Sequence, residues 1–335
     1  MVISILGAGS WGIALSILLR QNHHSVIMWE FDAEVCRKLN EERTLPEKLP
    51  GIMIPGDIII VNELSAAIGD SEIIVLALPS HTIRQVAENF RGLLTPVTSV
   101  IVNVSKGIEN NTLLRMSEVL CQVLPGQFHS KIATLSGPSH AEEVARNIPT
   151  TVVVASYEPA VSELVQQVFS TRYFRIYSSS DLIGVELGGS LKNVIAIAAG
   201  ILQGLGMGDN TMGALLTRGL AEMVRLGRKL GADPMTFAGL SGIGDLITTC
   251  ISSYSRNRYV GEQLGRGRKL PEILENMSMV AEGVKTTASA YALSQKHQVE
   301  MPITAAVNKI LFEGMPPEKA IQELMTRTLK PEIWS

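Results

Sequence analysis

Up to about Ser180, hydrophobic residues fall into two alternating rhythms. Short, densely apolar runs occur at VISIL (2–6), SVIMW (25–29), DIIIV (57–61), EIIVLAL (72–78), SVIVNV (99–104), KIATL (131–135), TVVVA (151–155) and FRIY (174–177). Several are apolar at nearly every position, as a strand covered on both faces must be. Between them apolar residues recur at helical spacing, for example from Ile83 to Phe90 and from Leu113 to Val123. Strands alternating with helices predict a parallel, doubly wound α/β sheet. After Ser180 the strand-like runs stop, and Gly, Ala and Leu carry long helical periods at Leu191–Leu205 and Met212–Leu230. The pattern therefore predicts two domains: residues 1–180 built on the sheet, and residues 181–335 all α-helical.

Composition narrows the class. A chain of 335 residues, 46% hydrophobic, is long enough for two sizeable cores. The net charge is −3 with acidic and basic residues interspersed, and no basic run points to nucleic acid as a partner. Cys36, Cys121 and Cys250 are far apart and odd in number, so reduced thiols in a cytoplasmic protein are expected, without a metal site. The first apolar segment is too short for a signal peptide and lacks a basic flank. The longest apolar helical run, Val194 to Leu205, is interrupted by Gly200, Gln203 and Gly204, and falls short of the roughly 20 residues needed to cross a bilayer. No membrane insertion is expected.

Chemistry begins at the N-terminus, where SILGAGSWGIALS (4–16) places Gly7, Gly9 and Gly12 in G-x-G-x-x-G spacing. The spacing alone is a weak signal, but here a strand enters the turn, a helix leaves it and a second strand follows. In that setting Gly7 permits the tight turn, Gly9 lets the backbone approach a pyrophosphate, and Gly12 packs helix against strand. The helix N-terminus would receive the pyrophosphate. Glu30, 18 residues beyond Gly12, ends the second strand, where a carboxylate accepts from the ribose diol and repels a 2′-phosphate. Phe31 and Asp32 follow it with no Arg or Lys beside them, which favours NAD over NADP. Two alternatives stand against this: Glu30 as a solvated strand-end charge, and Arg37 or Lys38 reaching a phosphate from the next helix.

Further constellations suit an anionic substrate. Lys106 in NVSKGIE follows the fifth strand, where α/β sheets bind ligands. LSGPSHAEEVA (135–145) follows the sixth with a turn at Gly137, Pro138 and Ser139; Ser139 could equally be a helix N-cap. In ELGGSLKNV, Lys192 and Asn193 stand at the start of an apolar helix. A lysine buried there is a general acid/base candidate, and one that snorkels to water is not. Asp245 is the lone charge of GLSGIGDLITTC (239–250) and the natural partner for Lys192. Ser255, Arg256, Asn257 and Arg258 could recognise a phosphate or could simply open a helix.

Taken in order, GAGSWG, NVSKGIE, LSGPSHAEEVA, ELGGSLKNV, GLSGIGDLITTC, SRNR and AEGVKT (281–286) span nearly the whole chain. The series resembles the bacterial NAD(P)-dependent glycerol-3-phosphate dehydrogenases. The resemblance implies an N-terminal Rossmann-type domain, an α-helical C-terminal domain and a homodimer. It also implies reversible hydride transfer between NAD(P)H and dihydroxyacetone phosphate, giving glycerol 3-phosphate for phospholipid synthesis. On this basis Lys192 is the proton donor/acceptor with Asp245 beside it, and Lys106 meets both substrate and cofactor. Gly137, Ser139, Asn193, Asp245, Thr249, Ser255, Arg256 and Asn257 would line the substrate site. Ser10, Trp11, Ala141, Arg256 and Glu282 would touch the cofactor. Many members carry a basic residue just after the second strand's tryptophan; this chain has WEFDAE there. A ketopantoate-type or 3-hydroxyacid reductase would share the lysine but not SRNR with GDLITTC, and a non-catalytic dinucleotide sensor would need neither.

Overall fold

A computed structural model of the chain describes residues 1–277 and 279–332; position 278 and positions 333–335, inside the expected helical domain, lie outside the described residues. The fold divides into two compact units. One comprises Met1–Lys106 and Leu114–Glu186; the other comprises Gly107–Leu113 and the chain from Leu187 onward.

In the first unit, each of the eight apolar runs forms a strand: β1 (Val2–Leu6), β2 (Ser25–Trp29), β3 (Ile59–Val61), β4 (Ile73–Leu76), β5 (Val100–Asn103), β6 (Ile132–Ser136), β7 (Thr150–Ala155) and β8 (Phe174–Ser179). They make one sheet in the order β3-β2-β1-β4-β5-β6-β7-β8. The strand order reverses between β1 and β4, which themselves run parallel, and this is the point where doubly wound sheets open a ligand crevice. Alternate residues feed two cores. Ile3, Ile5, Ile73 and Val75 pack on one face with Ile13, Ala14, Ile17 and Leu18 of the helix Ser10–Gln21. Leu6, Ile74, Leu76 and Ile101 pack on the other, against the helices Ile83–Phe90 and Met116–Val123.

The sheet is not wholly parallel as expected: β7 runs antiparallel to β6. A parallel return is usually made by a helix that spans the sheet. The link from β6 to β7 holds only the one-turn helix Ala141–Val144. One helix also starts later than expected. It begins at Met116, because Leu113 takes a positive φ of 62° and Glu118 accepts from the Arg115 amide at 2.9 Å to cap the start.

Beyond β8 the described residues contain no strand, and the second unit is helical. Its leading helix, Leu182–Gly204, begins nine residues before the expected Leu191 and passes straight through Gly200. At 23 residues it is long and apolar enough to cross a membrane by length and composition, contrary to expectation, but 94% of that apolar stretch is buried inside the protein. The glycines are contacts rather than breaks. A Cβ on Gly200 would lie 2.0 Å from the Arg258 carbonyl oxygen, and one on Gly261 would lie 2.0 Å from that of Ile197. The helices Leu182–Gly204 and Arg256–Gly265 thus touch backbone to backbone, as small residues four apart on both helices allow.

Candidate active site

The glycine turn sits at the sheet's reversal point. Gly7 adopts φ +111°, and a Cβ there would strike the Ala77 carbonyl oxygen at 2.5 Å, just beyond β4. At Gly12 a Cβ would lie 1.9 Å from the Gly7 carbonyl oxygen, so the helix closes directly onto the turn. Gly9 is the reverse: nothing lies within 4 Å of its missing side chain, and it precedes the helix Ser10–Gln21 with no side-chain cap. An open backbone beside an uncapped helix start is what a dinucleotide pyrophosphate requires. The Ser10 hydroxyl donates to the Lys48 carbonyl at 2.6 Å, and Trp11 packs into the core with its ring 6.4 Å from that of Phe174.

Glu30 is 3% exposed, which removes the solvated-carboxylate alternative; its Oε1 accepts from the Asp32 amide at 3.1 Å. The two candidate cations nearby are engaged elsewhere. Arg37 pairs with Glu34 and Glu41, and Lys38 with Glu47 at 3.2 Å. In the same unit the Lys106 ammonium donates to the Gly137 carbonyl at 2.9 Å. Gly137 takes φ +134°. The Ser139 hydroxyl donates to the same carbonyl at 2.9 Å and does not cap; the residue preceding the Ala141–Val144 helix is His140. Ala141 is buried at the start of that helix.

In the helical unit Lys192 is 6% exposed and does not snorkel. Its Nζ lies 2.8 Å from Asp245 Oδ1 and donates to Thr249 Oγ1 at 2.6 Å, while Thr249 in turn reaches Asp245 at 3.2 Å. Sequence reasoning anticipated the ion pair from the isolation of Asp245. The fold delivers it through the turn Leu240–Gly244, which abuts the lysine's helix at Gly188. There the Ser241 carbonyl oxygen takes the space of a side chain, 2.5 Å from where a Cβ on Gly188 would stand. Cys250 sits beside this pair, and burial pushes its thiol up to about 12 against the pull of Lys192. It remains a packed thiol rather than a nucleophile.

The SRNR segment divides. Ser255 caps the helix Arg256–Gly265 by accepting from the Arg258 amide at 3.2 Å. Arg258 is structural, donating to the Ser252 carbonyl at 2.9 Å and to Gln203. Arg256 is exposed on the first turn. Asn257 is buried, and its amide joins Asn193 to the backbone of Gly283, next to Glu282 at the start of the helix Glu282–Lys296. Two residues escaped sequence reasoning. Gly283 carried no signal beyond its place in AEGVKT. Glu186 opens ELGGSLKNV, yet it is buried, 2.6 Å from Arg115 and held by Ser117. Burial pushes its carboxyl up while Arg115 and Ser117 oppose that.

Function class follows from what each unit can do. One can seat a dinucleotide on a glycine turn, and the other can move a proton at a buried lysine; this is the division of labour of a nicotinamide-dependent dehydrogenase. Known proteins narrow it further. Residues 2–162 match the NAD-dependent glycerol-3-phosphate dehydrogenase N-terminus, and residues 181–322 match the C-terminus of the same family. A glycerol-3-phosphate dehydrogenase [NAD(P)+] of Chlorobium luteolum is 52% identical over 333 residues, covering 99% of each chain. One of Bacillus velezensis is 49% identical over 331 residues, 99% of this chain and 96% of the other. The crystal structure of glycerol-3-phosphate dehydrogenase from Coxiella burnetii superposes with a TM-score of 0.92 at 37% identity, covering 97% of this chain and 99% of that one. The chain belongs to the NAD-dependent glycerol-3-phosphate dehydrogenase family, a family of oxidoreductases acting on a CH–OH group.

Proposed function

We propose that the protein interconverts dihydroxyacetone phosphate and glycerol 3-phosphate with NAD(P)(H), supplying glycerol 3-phosphate for phospholipid synthesis in the cytoplasm, and that it works as a homodimer. The observation that carries the reading is the buried Lys192–Asp245 pair, 2.8 Å apart, in a chain of this family. The nicotinamide held on the glycine turn would supply hydride-transfer chemistry at C2 of the substrate. Lys192, as the ammonium, hydrogen-bonds the carbonyl oxygen and gives it a proton as negative charge develops there; in reverse it takes the hydroxyl proton. Asp245 balances the ammonium, and Thr249 holds it from a second direction.

Arg256 anchors the phosphate with its guanidinium, which suits bidentate contact, aided by Ser255 and by the second amide hydrogen of Asn257. Lys106 meets substrate and cofactor, and Gly137 and Ser139 shape the substrate's surroundings. Gly7, Gly9, Ser10, Trp11, Gly12, Glu30, Ala141, Arg256 and Glu282 would hold the dinucleotide. NAD is the preferred cofactor. In support of this reading, Glu30 is a buried carboxylate just past the end of β2, and Arg37 and Lys38 are paired with carboxylates.

The test is nicotinamide absorbance with dihydroxyacetone phosphate, NADH and NADPH being run in parallel. Oxidation that depends on the phosphorylated ketone is expected, with the larger kcat/KM for NADH. No oxidation with either cofactor would overturn the substrate, and a preference for NADPH would overturn the role given to Glu30.

A further inference from the structure

Two asparagine amides in the helical unit are joined end to end, and the chain they form has a fixed direction. The Gly283 backbone N–H donates to Asn257 Oδ1 at 2.9 Å, and Asn257 Nδ2 donates to Asn193 Oδ1 at 3.0 Å. Both side chains are buried, Asn193 at 4% and Asn257 at 8% exposure. A side-chain amide can in principle be turned over, exchanging donor for acceptor. Here it cannot, because a backbone N–H only donates. Asn257 must therefore offer Oδ1 to Gly283 and Nδ2 to Asn193, and Asn193 must answer with Oδ1. That turns Asn193 Nδ2, a pure donor, away from Asn257. Glycine is required at position 283, since a Cβ there would lie 2.7 Å from the Asn193 carbonyl oxygen and 2.8 Å from Asn257 Oδ1.

We propose that Gly283 is a positioning residue that sets the amide polarity of Asn257 and, through it, of Asn193, so that Asn193 meets the substrate as a hydrogen-bond donor to oxygen. The inference rests on the proposed function, in which Asn193 belongs to the substrate site. A donor oriented in advance favours an oxygen that gains negative charge, and does so most in the transition state. Asn193 is the next residue after Lys192 on the helix Leu182–Gly204. Asn257 then acts through Asn193 and not chiefly as a phosphate contact.

Steady-state kinetics with NADH and dihydroxyacetone phosphate test this on Asn193→Ala, Asn193→Asp, Asn257→Ala, Gly283→Ala and the Asn193→Ala/Asn257→Ala pair. NADH affinity is read separately by fluorescence titration. Asn193→Ala should lower kcat at least about tenfold, the scale of one hydrogen bond to a charged group. Asn193→Asp, which offers only acceptors outward, should do no better. Asn257→Ala and Gly283→Ala should lower kcat rather than raise KM, with NADH affinity unchanged. In the Asn193→Ala background, Asn257→Ala should add nothing further, as expected of residues acting through one group. Should Gly283→Ala not fold, the asparagine pair decides alone. Wild-type kcat in Asn193→Asp, losses that multiply in the double variant, or an effect of Asn257→Ala confined to KM would each overturn the proposal. A wild-type protein inactive on dihydroxyacetone phosphate would instead overturn the function on which it rests.

Discussion

Lys192 illustrates what a residue's own chemistry leaves undecided. A lysine beside an apolar helical run can bury its ammonium or carry it to water along its aliphatic stem. The two options are indistinguishable in ELGGSLKNV, because the choice depends on a carboxylate 53 positions away, Asp245, arriving within 2.8 Å. Asp245 could be picked out as the partner only because its surroundings lack other charges. Removing the lysine should show what the pair does: Lys192→Ala is expected to lower kcat by at least ~10², the low end for general acid–base catalysis, with NADH binding intact by fluorescence. Turnover near wild type would remove Lys192 from the reaction. Arg256 stands differently, exposed on the first turn of its helix. Arg256→Ala should mainly raise KM for the phosphorylated ketone, and an unchanged KM would end its anchoring role. For Ser139 and Ser255 alike, a place at a helix start stood beside a ligand contact. Ser139, a cap candidate, bonds the Gly137 carbonyl, while Ser255 became the cap.

Elements were the most legible level, and their ends the least. The central runs that form β4, β5 and β6 are buried at every position because the sheet is covered on both faces, and that leaves a dense apolar signature in sequence, whereas the edge strands β3 and β8 keep exposed positions. The antiparallel β7 left no such mark, since its direction depends on how the preceding link packs and not on its own residues. The glycines of the helix Leu182–Gly204 misled for a related reason. Taken alone, Gly200 and Gly204 lower helix propensity, yet Gly200 lies against the backbone of Arg258 and Glu262 and Gly204 against that of Glu262 and Gly265 of a second helix, where any side chain would force the backbones apart. Gly261→Ala should therefore destabilise by at least the ~1–3 kcal/mol typical of overpacking. Thermal unfolding followed by circular dichroism checks it, and an unchanged midpoint would show that the crossing can relax.

Over the whole molecule, one buried carboxylate outside the candidate site ties stability to pH. Glu222, on the helix Asp209–Lys229, accepts from the Ile303 and Thr304 amides and the Thr304 hydroxyl at the start of the helix Pro302–Phe312. Burial raises its carboxyl from 4.5 to about 7, against those hydrogen bonds and the pull of Arg225. The folded form thus holds its proton more tightly than the unfolded chain. Stability from this group is full below the unfolded value and is lost as pH rises through 7, by roughly 3 kcal/mol in all from the size of the shift. Glu222→Gln should flatten the fall in unfolding midpoint between mildly acid and mildly alkaline pH; an unaltered slope would assign that fall to other groups. Periodicity, turn chemistry and isolated charges are local properties, so the strands and the glycine turn were legible in the chain itself, which also nominated the candidate site residues. Tertiary structure alone decided that Lys192 is buried and paired, that Glu30 is shielded, that Gly200 is a contact, and which way the amides of Asn193 and Asn257 face. Each of these depends on groups distant in sequence, and burial and hydrogen-bond direction exist only once those groups meet.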